Sequence, residues 1–298
     1  IYNKKRGRQP MIIDSHCHAW EYWPYQEKNS HEPNQIPVPN PETWGNVEQL
    51  IYEMDNNNVA KATIVSAQIW HNLENNKYIA QSVKQYSDRL YQFADIDSNW
   101  SSTYHTDGAA DRLGEIKENF NIVGFTHYLS PEDDGKWLFS EQGLNFFKVA
   151  SNNNMIASIA CSPKHQNSIR KVAERFPELP ILCHHMSGIN TDYMKKNDIN
   201  NVLESSKMGN IYLKFSGYNY VIGGDRRWDF PYKDALWIFK EAYQSFGSQM
   251  VWGSDFPVVK FSSTYKQALE TLNTYCDFIS DNDKKKIFGE NLHNLINK

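Results

Sequence analysis

Eight short runs of apolar and β-branched residues, separated by longer stretches with a helical period, constrain this sequence more than any other feature. Runs of this length and composition predict buried strands, and the apolar residues between them recur at intervals of three and four. Strict alternation of strand and helix predicts parallel strands joined by right-handed crossovers. The predicted strands are residues 11–15, 62–67, 90–94, 122–125, 155–160, 181–183, 210–215 and 250–253.

Strand count and chain length decide between the two folds that such alternation allows, an open doubly wound sheet and a closed barrel. Eight strand–helix units fit a (β/α)8 barrel of about 250 residues, and this chain has 298. No Gly-x-Gly-x-x-Gly pattern follows the first predicted strand, so a nucleotide-binding open sheet is not favoured. We therefore predict an α/β fold, a single-domain TIM barrel of parallel strands over residues 11–298. A disordered N-terminal extension is predicted over residues 1–10.

Charge and hydropathy exclude several classes of partner. With a net charge of −4, the chain lacks the concentrated positive field that nucleic acids and anionic membranes require. No apolar stretch approaches the roughly 20 residues of a membrane helix, and the beginning of the sequence lacks the apolar segment of a signal peptide. We expect a cytoplasmic protein with a small-molecule substrate and with no nucleic-acid or membrane partner. Whether it forms a homodimer is left open.

Titratable residues collect at the carboxyl ends of several predicted strands, where a (β/α)8 barrel builds its active site. Because side chains alternate along a strand, His16 and His18 at the end of the first strand point to the same side. Such a pair suits a divalent metal ion of the zinc class, or two hydrogen-bond donors to one substrate oxygen. A purely structural role for the pair is the competing interpretation. Later strand ends make a shared site more plausible by adding His127, His185, Lys214 and Asp255.

Three motifs occur in order along the chain. They are Ile-Asp-Ser-His-Cys-His at residues 13–18, Ile-Leu-Cys-His-His-Met-Ser-Gly at 181–188 and Trp-Gly-Ser-Asp-Phe-Pro-Val at 252–258. Together they resemble the amidohydrolase-related family of the amidohydrolase superfamily, which includes sugar lactonases, and the likeness extends over residues 11–298.

The resemblance implies a division of roles among the residues of these motifs. It implies that Asp255 acts as a general base on a water molecule, and a carboxylate held near imidazoles or a metal can remain ionised at pH 7. It implies that His16 and His18 polarise the scissile carbonyl. His185 resembles the histidine that supports the same oxygen, and it fits the motif better than His184.

Two departures from the family pattern bear on the cofactor and the substrate. Metal-dependent relatives add a histidine on the fifth strand, whereas this chain has only Cys161 near that place. The resemblance therefore implies either one divalent metal ion, with zinc preferred, or catalysis without a metal. In the first case the ligands are His16, His18 and Asp255. Many lactonase relatives have arginine at the position of Thr126, so a strongly anionic substrate is less favoured.

Aromatic residues in the segments that follow the strands indicate a pocket for a ring-shaped substrate. The alternative interpretation is that these rings only hold loops against the barrel rim. We predict hydrolysis of a lactone, a sugar lactone among the candidates. The alternative is a metal-dependent decarboxylase of an unsaturated or aromatic carboxylic acid, and a catalytically inactive binding protein is disfavoured. The predicted substrate-binding residues are His127, Trp20, Tyr218, Arg226 and Lys214.

Overall fold

A computed structural model describes residues 11–26, 37–192, 194–222 and 228–298, and the extension predicted over residues 1–10 lies outside this range. Eight parallel strands pair in the order in which they occur in the chain, which confirms the predicted TIM barrel. All eight predicted strands are present. They are β1 (Ile13–Cys17), β2 (Lys61–Val65), β3 (Leu90–Asp95), β4 (Gly124–Tyr128), β5 (Ile156–Ala160), β6 (Ile181–Cys183), β7 (Ile211–Phe215) and β8 (Met250–Trp252).

Helices follow the strands and cover the outside of the barrel. The α-helices of the described residues are α1 (Val47–Asn56), α2 (Asn75–Gln85), α3 (Ala109–Asn119), α4 (Glu141–Asn152), α5 (Gln166–Arg175), α6 (Lys196–Leu203), α7 (Tyr218–Val221), α8 (Leu236–Phe246), α9 (Tyr265–Glu270), α10 (Asp281–Lys285) and α11 (Asn291–Ile296). Helix α1 illustrates the predicted period, because Val47, Leu50 and Met54 form its buried face. In the described part of the chain, no helix combines the length and apolar character that crossing a membrane requires.

Apolar side chains fill the barrel and the layer around it. Inside the barrel, Ile13, Phe93 and Val251 belong to one buried cluster. Outside it, Phe125 of β4 packs edge-on against Phe146 of α4, with 5.0 Å between the ring centroids. Because the interior is packed in this way, space for a ligand is left at the carboxyl ends of the strands.

The barrel closes where β1 meets the segment that follows β8. The backbone N–H of Asp255 donates to the carbonyl oxygen of His16 at 2.8 Å, and the N–H of His18 donates to that of Phe256 at 2.6 Å. A parallel bridge between Cys17 and Phe256 completes the contact. This closure places the carboxylate of Asp255 directly beside the two histidines of β1.

An irregularity in β1 turns its histidines into the barrel. Ile13 packs in the interior cluster, and a regular strand would put His16, three positions later, on the opposite face. The register of the β1–β2 pairing shifts between Asp14 and Cys17, and such a bulge changes the phase of the side chains. His16 therefore also faces inward, where it contacts Lys214.

Candidate active site

Three imidazole rings surround the carboxylate of Asp255 at the mouth of the barrel. Oδ1 of Asp255 lies 3.6 Å from Nε2 of His16 and 4.0 Å from Nε2 of His18. Nε2 of His185, from the turn after β6, lies 3.7 Å from the same oxygen. The structure thus brings together the residues predicted for the catalytic and metal-binding roles. The roles themselves stay predictions.

Burial sets the protonation of this cluster. It lowers the pKa of His18 to about 4 and that of His185 to about 3, so both rings are neutral at pH 7. Burial raises the pKa of Asp255 to about 8, against the lowering effect of the Tyr220 hydroxyl, which donates to Oδ2 at 3.0 Å. In the protein without a bound cation, this raised pKa favours the protonated form of Asp255 at pH 7. Removal from water outweighs the hydrogen bond.

The same side chains fit a divalent metal ion. The ligand atoms of His16, His18 and Asp255 all lie within 4.8 Å of one another. Nε2 of His16 is buried and has no hydrogen-bond partner among the described residues, as befits an atom that faces a ligand site. Nδ1 of His18 donates to the carbonyl oxygen of Val65 at 2.7 Å, which leaves the lone pair of its Nε2 for a metal. A second group of candidate ligands comprises His16, His184 and His185.

Lys214 lies beneath this cluster. Its side chain is fully buried inside the barrel, with Nζ 3.2 Å from Nδ1 of His16 and donating to Oγ of Ser158 at 2.7 Å. Burial lowers the pKa of Lys214 to about 7. Oγ of Ser158 lies a further 2.7 Å from Nε2 of His184, so a chain of polar contacts runs under the site. Lys214 does not line the pocket, and its predicted contact with substrate is corrected to a contact with His16.

The neighbouring residues His184 and His185 lie in different places, one in the barrel interior and the other at the pocket. His184 is buried beneath the site, whereas His185 lines the pocket and faces Asp255. Residues 185–187 all have positive φ, which produces the tight turn that separates the two rings. The sulfur of Cys161 accepts a hydrogen bond from Gln166 at 3.5 Å, and neither group of candidate metal ligands in the described residues includes it.

A cavity of about 240 Å³ opens above the cluster, and most of its walls are aromatic or aliphatic. Trp20 is one of these walls, as predicted for a substrate-binding residue, and its ring stacks on His18 with 4.8 Å between centroids. His18, His185 and Asp255 face the same cavity. The remaining lining residues are Tyr25, Ala67, Ile69, Trp100, Tyr128, Tyr220 and Val258.

Tyr220 takes the place that the sequence assigned to Tyr218. The ring of Tyr218 is buried in the outer core against Phe215 and Phe239, so it does not reach the cavity. Two positions along a helix rotate a side chain by about 200°, and Tyr220 therefore faces the opposite way, toward Asp255. The aromatic pattern indicates that a tyrosine of this segment is involved, but it does not distinguish these two.

His127 also lies away from the cavity. Its Nδ1 donates to the carbonyl oxygen of Ile96 at 3.0 Å, and its Nε2 lies 3.2 Å from Nε2 of His105, on the outer side of β4. The next residue, Tyr128, lines the cavity instead. His127 therefore does not line the cavity, although the sequence predicts it as a substrate-binding residue. Arg226, the last predicted substrate-binding residue, lies outside the described residues.

The sequence matches the family model described as "Amidohydrolase" over residues 13–292. The chain belongs to the amidohydrolase family. It is therefore an enzyme of the amidohydrolase superfamily, in agreement with the resemblance of its three motifs. No curated protein gives a significant match to the sequence.

Solved structures with the same fold include enzymes of more than one kind. A probable 2-pyrone-4,6-dicarboxylic acid hydrolase from Acinetobacter baumannii, with citric acid bound, is 19% identical with a TM-score of 0.73, covering 96% of this chain and 99% of that one. An amidohydrolase from Burkholderia multivorans with bound zinc is 14% identical with a TM-score of 0.78, at coverages of 96% and 99%. A 2,6-dihydroxybenzoate decarboxylase from Rhizobium is 13% identical with a TM-score of 0.63, at coverages of 97% and 99%. At these identities the similarity shows the fold, not the reaction.

Proposed function

We propose that this enzyme hydrolyses a lactone, with sugar lactones among the candidate substrates. The observation that carries the proposal is the position of the Asp255 carboxylate within 4.0 Å of three imidazole nitrogens, at the floor of a ring-lined cavity. Lactone hydrolysis needs a base that activates water and donors or a cation where charge develops on the carbonyl oxygen. One cluster supplies both.

In the proposed reaction, ionised Asp255 accepts a proton from water while the water oxygen bonds to the lactone carbonyl carbon. His18 and His185 lie on the side where the oxyanion forms. The ring carbon–oxygen bond then breaks, and the proton passes from Asp255 to the departing ring oxygen, which yields a hydroxy acid. The hydroxyl of Tyr220 holds Oδ2, so that Oδ1 faces the imidazoles.

One divalent metal ion, with zinc preferred, is the cofactor that we propose for His16, His18 and Asp255. The zinc bound in the amidohydrolase of B. multivorans supports this choice, as does the buried, unpartnered Nε2 of His16. When bound, such an ion would supply Lewis-acid polarisation of the carbonyl and would favour the ionised carboxylate. Without it, His185 would be the hydrogen-bond donor to the carbonyl oxygen, because the proton of neutral His18 lies on Nδ1, where it donates to Val65.

Replacing Asp255 tests the proposal. On a broad panel of lactones, Asp255→Asn should lower kcat/KM by about 10²- to 10⁴-fold, the usual contribution of a general base. The melting temperature should change little, because asparagine keeps the shape of the side chain. Asp111→Asn on the exposed side of α3 is the matched control. Unchanged turnover by the Asp255 variant would rule out this mechanism.

A metal-dependent decarboxylase of an unsaturated or aromatic carboxylic acid is the second candidate. The Rhizobium decarboxylase has the same fold, and the group formed by His16, His18 and Asp255 suits the metal that such chemistry requires. This function predicts one tightly held zinc or manganese ion per chain, loss of activity on chelation, and release of CO2 from a dihydroxybenzoate. Metal analysis together with parallel lactone and decarboxylation assays separates the two candidates.

A further inference from the structure

We propose that the substrate is a small lactone without carboxylate or other anionic groups, bound between aromatic and aliphatic walls and by the hydroxyl of Tyr128. This inference rests on the proposed lactone hydrolysis and narrows it to one class of substrate. It depends on the charges that line the cavity, on the shape of its walls and on the hydroxyl of Tyr128, for which the described residues supply no hydrogen-bond partner.

The described walls of the cavity supply no cation. Among the described lining residues there is no lysine or arginine, and the carboxylate that faces the cavity is that of Asp255. The side chain of Lys214 is fully buried beneath His16 and does not reach the cavity. Arg112, beside a neighbouring cavity, is bound by both carboxylate oxygens of Asp97. A substrate carboxylate bound against these walls, away from the proposed metal ligands, would therefore have no positive partner among the described lining residues.

The histidines do not change this balance. Both rings lie at the floor of the cavity against Asp255, with Nε2 of His18 and Nε2 of His185 at 4.0 Å and 3.7 Å from its Oδ1, so they do not add a charge to the aromatic and aliphatic walls. An anion taken out of water into such surroundings loses its hydration without gaining an ion pair, which strongly disfavours binding. A neutral ring loses little by the same transfer.

The walls are flat, apolar and held in place. Trp20 stacks on His18 with only 14° between the ring planes, and Nε1 of Trp100 donates to Oδ2 of Asp95 at 2.9 Å. Fixed aromatic faces of this kind favour stacking against a planar or puckered ring. The volume of about 240 Å³ is below that of pockets for drug-sized ligands, which points to a substrate of one or two rings.

Tyr128 supplies the polar contact that is left for the substrate. It lines the cavity, and its hydroxyl has no hydrogen-bond partner among the described residues, whereas that of Tyr220 is engaged by Asp255. Its ring is held by Trp100 and His184, with centroid distances of 4.7 Å and 5.1 Å. A neutral hydroxyl donates to or accepts from an ester oxygen or a hydroxyl, and it does not neutralise an anion.

Paired substrates test the charge requirement. Each uncharged lactone is compared with its carboxylated counterpart, such as dihydrocoumarin with dihydrocoumarin-6-carboxylate and γ-butyrolactone with its 5-carboxylate. We expect kcat/KM to be at least about tenfold higher for the uncharged member of each pair, mainly through a lower KM. Equal or better turnover of the carboxylated members would overturn the inference and leave lactone hydrolysis standing. If the enzyme hydrolysed none of the lactones, that result would instead overturn the proposed function.

A tyrosine variant tests the contact. Tyr128→Phe should raise KM for the uncharged lactones by about three- to tenfold, the effect of one neutral hydrogen bond, and should change kcat less. Tyr52→Phe on the exposed face of α1 is the matched control, and the melting temperatures of both variants establish that they are folded. An unchanged KM in folded Tyr128→Phe would remove Tyr128 from the binding site.

Discussion

Nζ of Lys214 lies 3.2 Å from Nδ1 of His16, in a contact that joins β7 to β1 across the interior of the barrel. Nζ also donates to Oγ of Ser158 at 2.7 Å and lies 5.1 Å from the centre of the Phe93 ring. The amino group of Lys214 thus has polar contacts with His16 and Ser158 and an aromatic ring on a third side. Lys214 therefore orients His16 from below, and we regard it as a positioning residue.

Replacing this lysine by an apolar residue of similar length should separate activity from stability. We expect Lys214→Met to lower kcat by about 10- to 100-fold, the usual cost of losing the partner that orients a functional histidine. KM should stay nearly constant, because no contact with the cavity is lost. Exchanging a buried charge for an apolar side chain is commonly neutral or stabilising, so the melting temperature should not fall.

Kinetics and thermal unfolding check this prediction. Lys207→Met, at an exposed position, is the matched control and should match the wild type in kcat, KM and melting temperature. A Lys214 variant with raised KM and unchanged kcat would show that the lysine contacts the substrate after all.

The raised pKa of Asp255 predicts the pH dependence of the metal-free enzyme. The base acts in its ionised form, and burial raises its pKa to about 8, so kcat/KM should fall as the pH drops through about 8. At an ordinary carboxylate pKa the same loss would occur near pH 4. Bound zinc should move the midpoint to lower pH, because a neighbouring cation favours the carboxylate. Rate profiles with chelator and with zinc measure both midpoints, and a flat profile through pH 8 in chelator would contradict the assignment.

Tyr220 should shift that profile. Its hydroxyl donates to Oδ2 of Asp255 at 3.0 Å and lowers the pKa of the carboxyl group. Tyr220→Phe removes the donor, so the midpoint of kcat/KM in the metal-free enzyme should move to higher pH. Tyr52→Phe should leave the midpoint where it is. A midpoint that moves down, or not at all, would mean that the Tyr220 hydroxyl does not hold the ionised form.

The sequence predicts the barrel well because each strand is buried on both faces and appears as a continuous apolar run. Residues 250–252 are an example, with all three side chains buried. The bulge in β1 could not be predicted in this way. Oδ1 of Asp14 accepts the backbone N–H groups of both His16 and Ser254, and Ser254 lies 240 positions further along the chain. A contact that closes the barrel exists only once the barrel has formed.

The same burial explains which site residues the sequence misplaces. Because side chains alternate along a strand, His127 and Tyr128 must face opposite sides of β4. Apolar residues occur on both of these sides, so the alternation does not indicate which side faces the barrel interior. His127 packs outward, near Phe146, and Tyr128 lines the cavity. The sequence predicts Lys214 as a substrate-binding residue at a strand end, whereas its side chain is buried beneath His16, because a buried lysine has no distinctive pattern in a strand.

Metal binding should depend on His18. We expect His18→Ala to weaken zinc affinity by at least about 100-fold, because it removes a ligand that is already oriented by the carbonyl of Val65. Zinc stoichiometry and competition with a chromogenic chelator measure the effect without reference to turnover. His293→Ala, in α11, is the control and should bind zinc as the wild type does. Equal affinity in both variants would exclude His18 as a ligand.

A methyl group at Gly217 should disturb two site residues at once. Gly217 has a φ of +63°, and a Cβ there would lie 2.5 Å from a ring carbon of Tyr220 and 2.6 Å from Nδ1 of His185. We expect Gly217→Ala to lower the free energy of unfolding by about 1–3 kcal/mol through backbone strain, and to lower kcat/KM because both rings must move.

Gly114→Ala isolates the effect of that position from the effect of an added methyl group. Gly114 lies within α3, and an added Cβ would meet no described atom within 4 Å apart from its chain neighbours and the backbone of its own helix. Its replacement should raise the free energy of unfolding by up to about 1 kcal/mol, since alanine favours a helix over glycine, and should leave activity unchanged. Urea denaturation and kcat/KM measure both variants. If Gly217→Ala proved as stable and as active as Gly114→Ala, the turn after β7 would not constrain His185. The position of the His185 imidazole near Asp255 would then depend on β6 alone.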